Sequence, residues 1–164
     1  MSHSHYSRRI KELENWHFRR ERRLSEREQS MYQSLLGQLN WLVQHTRPDL
    51  AVGVSMASRK LEAANAGAMR RLLKLDNKSK NWVVEVNMGR LKKDSIHMEV
   101  YSDASFGNVK GGKSWIGYMI GLRGSRGIRC PLAWKSRVGK RVAHSTIEAE
   151  AIGLGEALEM VVFL

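Results

Sequence analysis

The chain is poor in several things that would have narrowed its role at once. It has one cysteine, Cys130, among 164 residues. That excludes an internal disulfide framework and suits a reducing, intracellular compartment, with Cys130 expected as a small strand residue. No run approaches the roughly 20 apolar residues that cross a bilayer, so no membrane is expected as a partner. The N-terminal "MSHSHYSRRIKELENWHFRRERR" has no apolar core of the kind that marks a secretory leader. There is no His/Cys group at zinc spacing, no phosphate-cradling glycine loop and no internal repeat. "IGLGE" sits in a helical pattern and is no nucleophile elbow. A further shortage is local: between Asp103 and Glu148 there is no acidic residue at all.

What fills that interval is positive charge. The chain carries 28 Lys and Arg against 16 Asp and Glu, a net charge of +12. The acid-free stretch holds Lys110, Lys113, Arg123, Arg126, Arg129, Lys135, Arg137, Lys140 and Arg141. Two explanations stand: a solvated basic face, or a surface that tracks phosphates, since like charges in such a run repel until something neutralises them. A membrane surface is less apt, because the charges lie on a strand pattern and not on a basic amphipathic helix.

The apolar spacing divides the chain into three parts. Residues 1–30 read as a charged arm or exposed helix. Residues 31–80 read as helical: Tyr32, Leu35, Leu36, Leu39 and Leu42 recur at helical spacing, "TRPDL" breaks the pattern, and further helices are expected over Pro48–Ala63 and Ala66–Leu75, ending in a polar "DNKSKN" turn. Residues 81–164 switch to alternation, with strands expected over Trp82–Met88, Ile96–Tyr101, Ser114–Leu122 and Ile128–Lys135. "GNVKGGKS" and "RGSRG" read as connections. "HSTIEAEAIGLGEALEMVVFL" then reads as a helix capped by Ser145 and Glu148. Its apolar "EMVVFL" end carries no stop signal, so a larger fold is expected to continue from it.

Among the carboxylates, Asp103 is expected at the mouth of a buried strand. At about 100° per residue, Glu148, Glu156 and Glu159 share one helix side with Gly155. Glu150 falls on the other, with Gly153, Leu154 and Ala157. An inward carboxylate needs a cation or hydrogen bonds to offset its desolvation. An arginine would serve Glu150, and so would a metal shared with Asp103; hard oxygen ligands in a basic groove suit Mg²⁺. His97 reads as an outer-face strand residue and His144 as a loop residue.

"VYSDASFGN", "GKSWIGYMI", "PLAWKSR" and "HSTIEAEAIGL", in that order, resemble the ribonuclease H region of copia-type LTR retrotransposon Pol polyproteins. Upstream, "YQSLLGQLNWLVQHTRPDLAVGVSMASR" is similar to the segment that follows the reverse transcriptase there. Together these motifs cover roughly residues 30 to 164. The resemblance implies an α/β (mixed) fold: a helical N-terminal segment, then a truncated ribonuclease H-like mixed sheet, its first three strands antiparallel, with one C-terminal helix. It implies Asp103 and Glu150 as catalytic acids and metal ligands, Mg²⁺ (or Mn²⁺) as cofactor, and an RNA–DNA hybrid as partner. Lys110, Lys113, Arg123, Arg126, Lys135, Arg137, Lys140 and Arg141 become candidate nucleic-acid contacts. The family often has Tyr where this chain has Ala151. The family's two later acids would lie beyond Leu164, so the chain is expected to be inactive alone unless the rest of a Pol polyprotein completes it. A non-catalytic basic module and a decaying structural relic are the competing expectations.

Overall fold

A computed structural model describes residues 21–84, 86, 89–91, 96–109, 111–124 and 127–164. The chain divides into two units, one formed by residues up to 45 together with 53–83, the other by 46–52 and 84–164.

Helix α1 (Glu26–His45) and helix α3 (Ala66–Asn81) build the first unit with most of α2 (Ala51–Ser58). α1 buries Glu28, Tyr32, Leu35, Leu36 and Leu39, one stripe at the spacing that the sequence carries. The Tyr32 hydroxyl donates to the Ala57 carbonyl at 2.8 Å, which satisfies the one polar atom that its buried ring brings inside. Asn65 caps α3 by accepting from the Ala68 N–H at 2.9 Å. α2 lies so close to α3 that a Cβ on Gly53 would sit 2.6 Å from the Leu75 side chain.

Three expectations for this part need correction. The helix expected over Pro48–Ala63 is a 3₁₀ turn at Pro48–Leu50 followed by a helix that ends at Ser58, whose Oγ donates to the Val54 carbonyl at 3.0 Å. "DNKSKN" is the last part of α3 and not a turn, because Asp76 and Lys80 pair at 2.6 Å across one helical turn. Of the charged arm, residues 1–20 lie outside the described residues, while Glu28 is buried and held by Arg22 at 2.7 Å.

The second unit is an antiparallel meander with one helix. Strands β1 (His97–Val109), β2 (Lys113–Arg123) and β3 (Arg129–Val142) pair in the order β1-β2-β3, and α4 (Thr146–Phe163) packs on them. The fold is thus of the α/β class expected, with helices first, then the sheet, then one C-terminal helix. No strand forms at the described positions of Trp82–Met88 (82–84 and 86); residues 85, 87 and 88 lie outside the described residues. The other strands run past their expected ends. β1 continues through "FGN" because Gly107, at φ 61°, absorbs a shift in register between Ser105 and Val109. α4 begins as the sequence suggests: the Ser145 Oγ accepts from the Glu148 N–H at 3.1 Å, and the Glu148 carboxylate accepts from the His144 N–H at 2.7 Å.

Candidate nucleic-acid interface

Strand pleating sends alternate side chains to opposite faces, and the register then sorts the sheet. One face meets α4. Ala104 and Ile116, cross-strand partners, pack with Ala143 and Ala149, and a Cβ on Gly153 would lie 3.5 Å from Ile116 and 3.6 Å from Ala104. The helix is pressed down on a stripe of small residues, Ala149, Gly153 and Ala157. Gly153 and Ala157 face inward as expected, and two other positions of α4 differ from expectation. Glu156 flanks the buried stripe and bonds Arg137 at 2.6 Å, while Leu154 is exposed. Small side chains decide the point: only they let the helix backbone sit close to the sheet.

On the same face, Lys135 and Arg137 line a cleft of about 220 Å³ with Tyr118, Glu156, Glu159 and Met160. Burial pushes the Tyr118 hydroxyl above its ordinary pKa, assisted by the Glu156 charge and opposed by Arg137.

No residue that the register places on the other face is fully buried. Register places Glu99, Tyr101, Asp103 and Ser105 on it from β1. Trp115, Gly117, Met119, Gly121 and Arg123 follow from β2, with Arg129, Trp134, Ser136 and Val138 from β3. Tyr101, Met119 and Trp134 form one continuous cross-strand row. The Trp115 ring N–H donates to the Ser136 hydroxyl at 2.7 Å. Glu99 receives Arg123 at 3.2 Å, Arg129 at 3.1 Å and the Tyr101 hydroxyl at 3.0 Å. Partial burial works to raise the Glu99 pKa, but the bonds from Arg129 and Tyr101 and the two guanidinium charges outweigh it and hold the carboxyl below the usual range.

The candidate cations therefore do not form one surface. Arg123 lies on the open face, and Lys135 and Arg137 lie on the helix face. Lys140 and Arg141 are exposed near the end of β3, beside the Lys113–Val142 pair that closes the ladder. Lys110 and Arg126 lie outside the described residues. The acid-free interval is also not free of ion pairs, since Glu99 and Glu156, just outside it, reach in to Arg123, Arg129 and Arg137.

Asp103 lies inside β1, not at its end, and is exposed. Its neighbour Ala104 faces α4, so the pleat turns Asp103 to the open face. Glu150 is half-buried beside the Ala149–Gly153 stripe of α4. The two carboxylates thus start from opposite faces of the sheet. Among the described residues, no group of three or more His, Cys, Asp or Glu side chains could hold a metal ion. Asp103 and Glu150 alone supply two carboxylates, fewer than such a group. Motif spacing alone does not single out Glu99, Tyr101, Met119, Trp134 or Glu156. A signal for most of them lies in the two-residue alternation of Glu99-Tyr101-Asp103 and Trp115-Gly117-Met119-Gly121, since residues two apart on a strand share a face.

No family model matches the chain, and no solved structure matches it. No helix among the described residues is long and apolar enough to cross a membrane. Secreted RxLR effector protein 161 of Plasmopara viticola is 30% identical over 137 residues, covering 81% of this chain and 90% of that protein. At that identity and coverage, the chain belongs to the same family as that effector protein.

Proposed function

We propose that the chain is a ribonuclease H-type module, derived from a copia-like Pol polyprotein, that binds nucleic acid and does not cleave it unaided. The observation that carries this reading is the arrangement of β2 and β3, which contribute cations and no acid, with Lys113, Lys140 and Arg141 gathered at one end of the ladder. Phosphates are the partner that such a surface neutralises, and release of their counterions drives the association. An RNA–DNA hybrid is the natural candidate, recognised by backbone shape and 2′-hydroxyls more than by base sequence. The placement of Asp103 and Glu150 favours binding over hydrolysis. Mg²⁺ or Mn²⁺ has a place only where additional acids, such as those of the rest of a Pol polyprotein, complete the set. We place the chain inside the cell, in cytoplasm or nucleus; the relative's name includes the word secreted, and cell fractionation decides between the two.

The test is fluorescence anisotropy with labelled RNA–DNA hybrid across a salt series, with and without EDTA. Binding that survives EDTA, falls steeply with salt and weakens in a Lys140→Ala/Arg141→Ala double variant is expected. Mg²⁺-dependent cleavage of the hybrid that Asp103→Asn abolishes would replace this reading with the nuclease.

A further inference from the structure

We propose that the sheet face turned away from α4 is a stacking platform for the bases of single-stranded nucleic acid; the inference rests on the nucleic-acid function above and names the surface and the strand state. The central observation is the row Tyr101–Met119–Trp134, one side chain from each strand, directly opposite one another. Tyr101 is 53% exposed and Met119 39% exposed, while Trp134 is half-buried. Strands lie about 4.8 Å apart, so the two aromatic rings are separated by roughly 10 Å, a span that an extended strand covers in about two nucleotides.

The floor of the platform is flat for a definable reason. Along β2, Gly117 and Gly121 flank Met119 on this same face. Gly121 is favoured by the fold, because a Cβ there would lie 3.0 Å from the Cys130 carbonyl oxygen, tighter than most real contacts. Gly117 is not required. A Cβ there would meet only the Lys135 carbonyl oxygen, at 3.8 Å, which is ordinary contact. Glycine weakens a strand interior, so its presence where the fold does not ask for it leaves open backbone beside the row for a flat ring to lie against.

Charge selects the occupant. Arg123 and Arg129, paired across β2 and β3, stand at one end of the open face. Asp103 stands beyond the row toward the other end. Glu99 bonds both arginines, so this end keeps one net positive charge, and a phosphate backbone is drawn to it while its bases fall on the row. Tyr101 is held for this role by its hydroxyl bond to Glu99 at 3.0 Å, which orients the ring without covering it. A duplex or hybrid keeps its bases stacked inside and offers no π-face to such a row. Only unpaired bases can use it.

The test uses the full chain, an oligo-dT strand of about 15 nucleotides and an RNA–DNA hybrid of equal length, read by anisotropy and by quenching of tryptophan emission. Tyr101→Ala removes one stacking ring, and Gly117→Val raises the floor at a position that tolerates a side chain. Thermal melting checks that each variant is folded, and Gly117→Val decides the matter if Tyr101→Ala is not. The single strand is expected to quench tryptophan emission and to lose roughly 5- to 150-fold in affinity in Tyr101→Ala. Gly117→Val should move in the same direction, and hybrid binding should change by less than about twofold in both. Unchanged single-strand affinity in the folded variants overturns the platform, as does binding of hybrid without binding of single strand; in both cases the broader reading survives. Failure of the wild-type chain to bind any nucleic acid overturns both.

Discussion

Glu99→Gln isolates one charge at the point where the open sheet face is neutralised. The carboxylate holds Arg123 and Arg129 at 3.2 and 3.1 Å. Glutamine keeps an oxygen for the Tyr101 hydroxyl and removes the charge, so the face gains one unit of positive potential with its ring geometry intact. If the face binds a single strand, this equals about one added phosphate contact, with a slope in log affinity against log salt near 0.7 per contact. Measured from a reference of about 1 M salt, the gain is about 8-fold at 50 mM and about 3-fold at 200 mM. Anisotropy titrations at several salt concentrations give both the affinity and the slope. Acid should act as the substitution does. The Glu99 pKa is depressed, so the carboxylate keeps its charge and its pairing above the usual carboxylate range and loses them only as pH falls through its folded value. The advantage of the variant should therefore be complete near neutrality and vanish only as pH falls through that depressed value. Equal affinities for both proteins at 50 mM salt, or equal salt slopes, would refute the reasoning and move the phosphate contacts elsewhere, with the Lys113–Arg141 corner next in line.

Further outcomes concern the two folded units. Glu28→Gln should lower stability by about 2 kcal/mol at pH 7, since the buried carboxylate accepts from Arg22 at 3.0 and 2.7 Å and from the Ser25 N–H at 2.8 Å, and the Arg22 share is discounted for exposure. Because the Arg22 bond holds the Glu28 pKa low against burial, the gap between variant and wild type in denaturant melts should close as pH drops below about 4; a gap constant down to pH 3 speaks against the assignment. Tyr32→Phe should cost about 1 kcal/mol by removing the hydroxyl bond to the Ala57 carbonyl, which keeps its bond from the Lys60 N–H at 2.9 Å, measurable by urea unfolding. Ile116→Ala, at a site 2% exposed under α4, should cost about 2 to 4 kcal/mol and loosen the helix, seen as faster amide exchange in α4; unaltered exchange would mean that α4 is held by something other than this core.

The helices were legible because their apolar spacing is strong, and the meander because alternation appears wherever one face is buried. The errors have particular physical origins. "DNKSKN" has turn composition, but the Asp76–Lys80 pair and the bond from the Ser79 hydroxyl to the Asp76 carbonyl at 2.7 Å keep it helical. "FGN" has turn composition as well, and it remains in the strand because one glycine with positive φ takes up the irregularity. The candidate acids were harder. Spacing shows that Asp103 and Ala104 face opposite ways, yet only the contact of Gly153 with Ala104 and Ile116 shows which of the two faces the helix. Glu99 was invisible as a partner for Arg129, because that bond joins positions 30 residues apart that only the meander brings together.

The meander also has a consequence in time. Val109 is already paired with Lys113, and Arg123 with Arg129, so each ladder begins immediately beside its turn. Every strand can zip onto its predecessor as it leaves the ribosome, with hairpin closure on the order of microseconds and no wait for a distant partner. α4 is the next segment made, and it returns to cover Ala104 and Ile116, strand positions already in place.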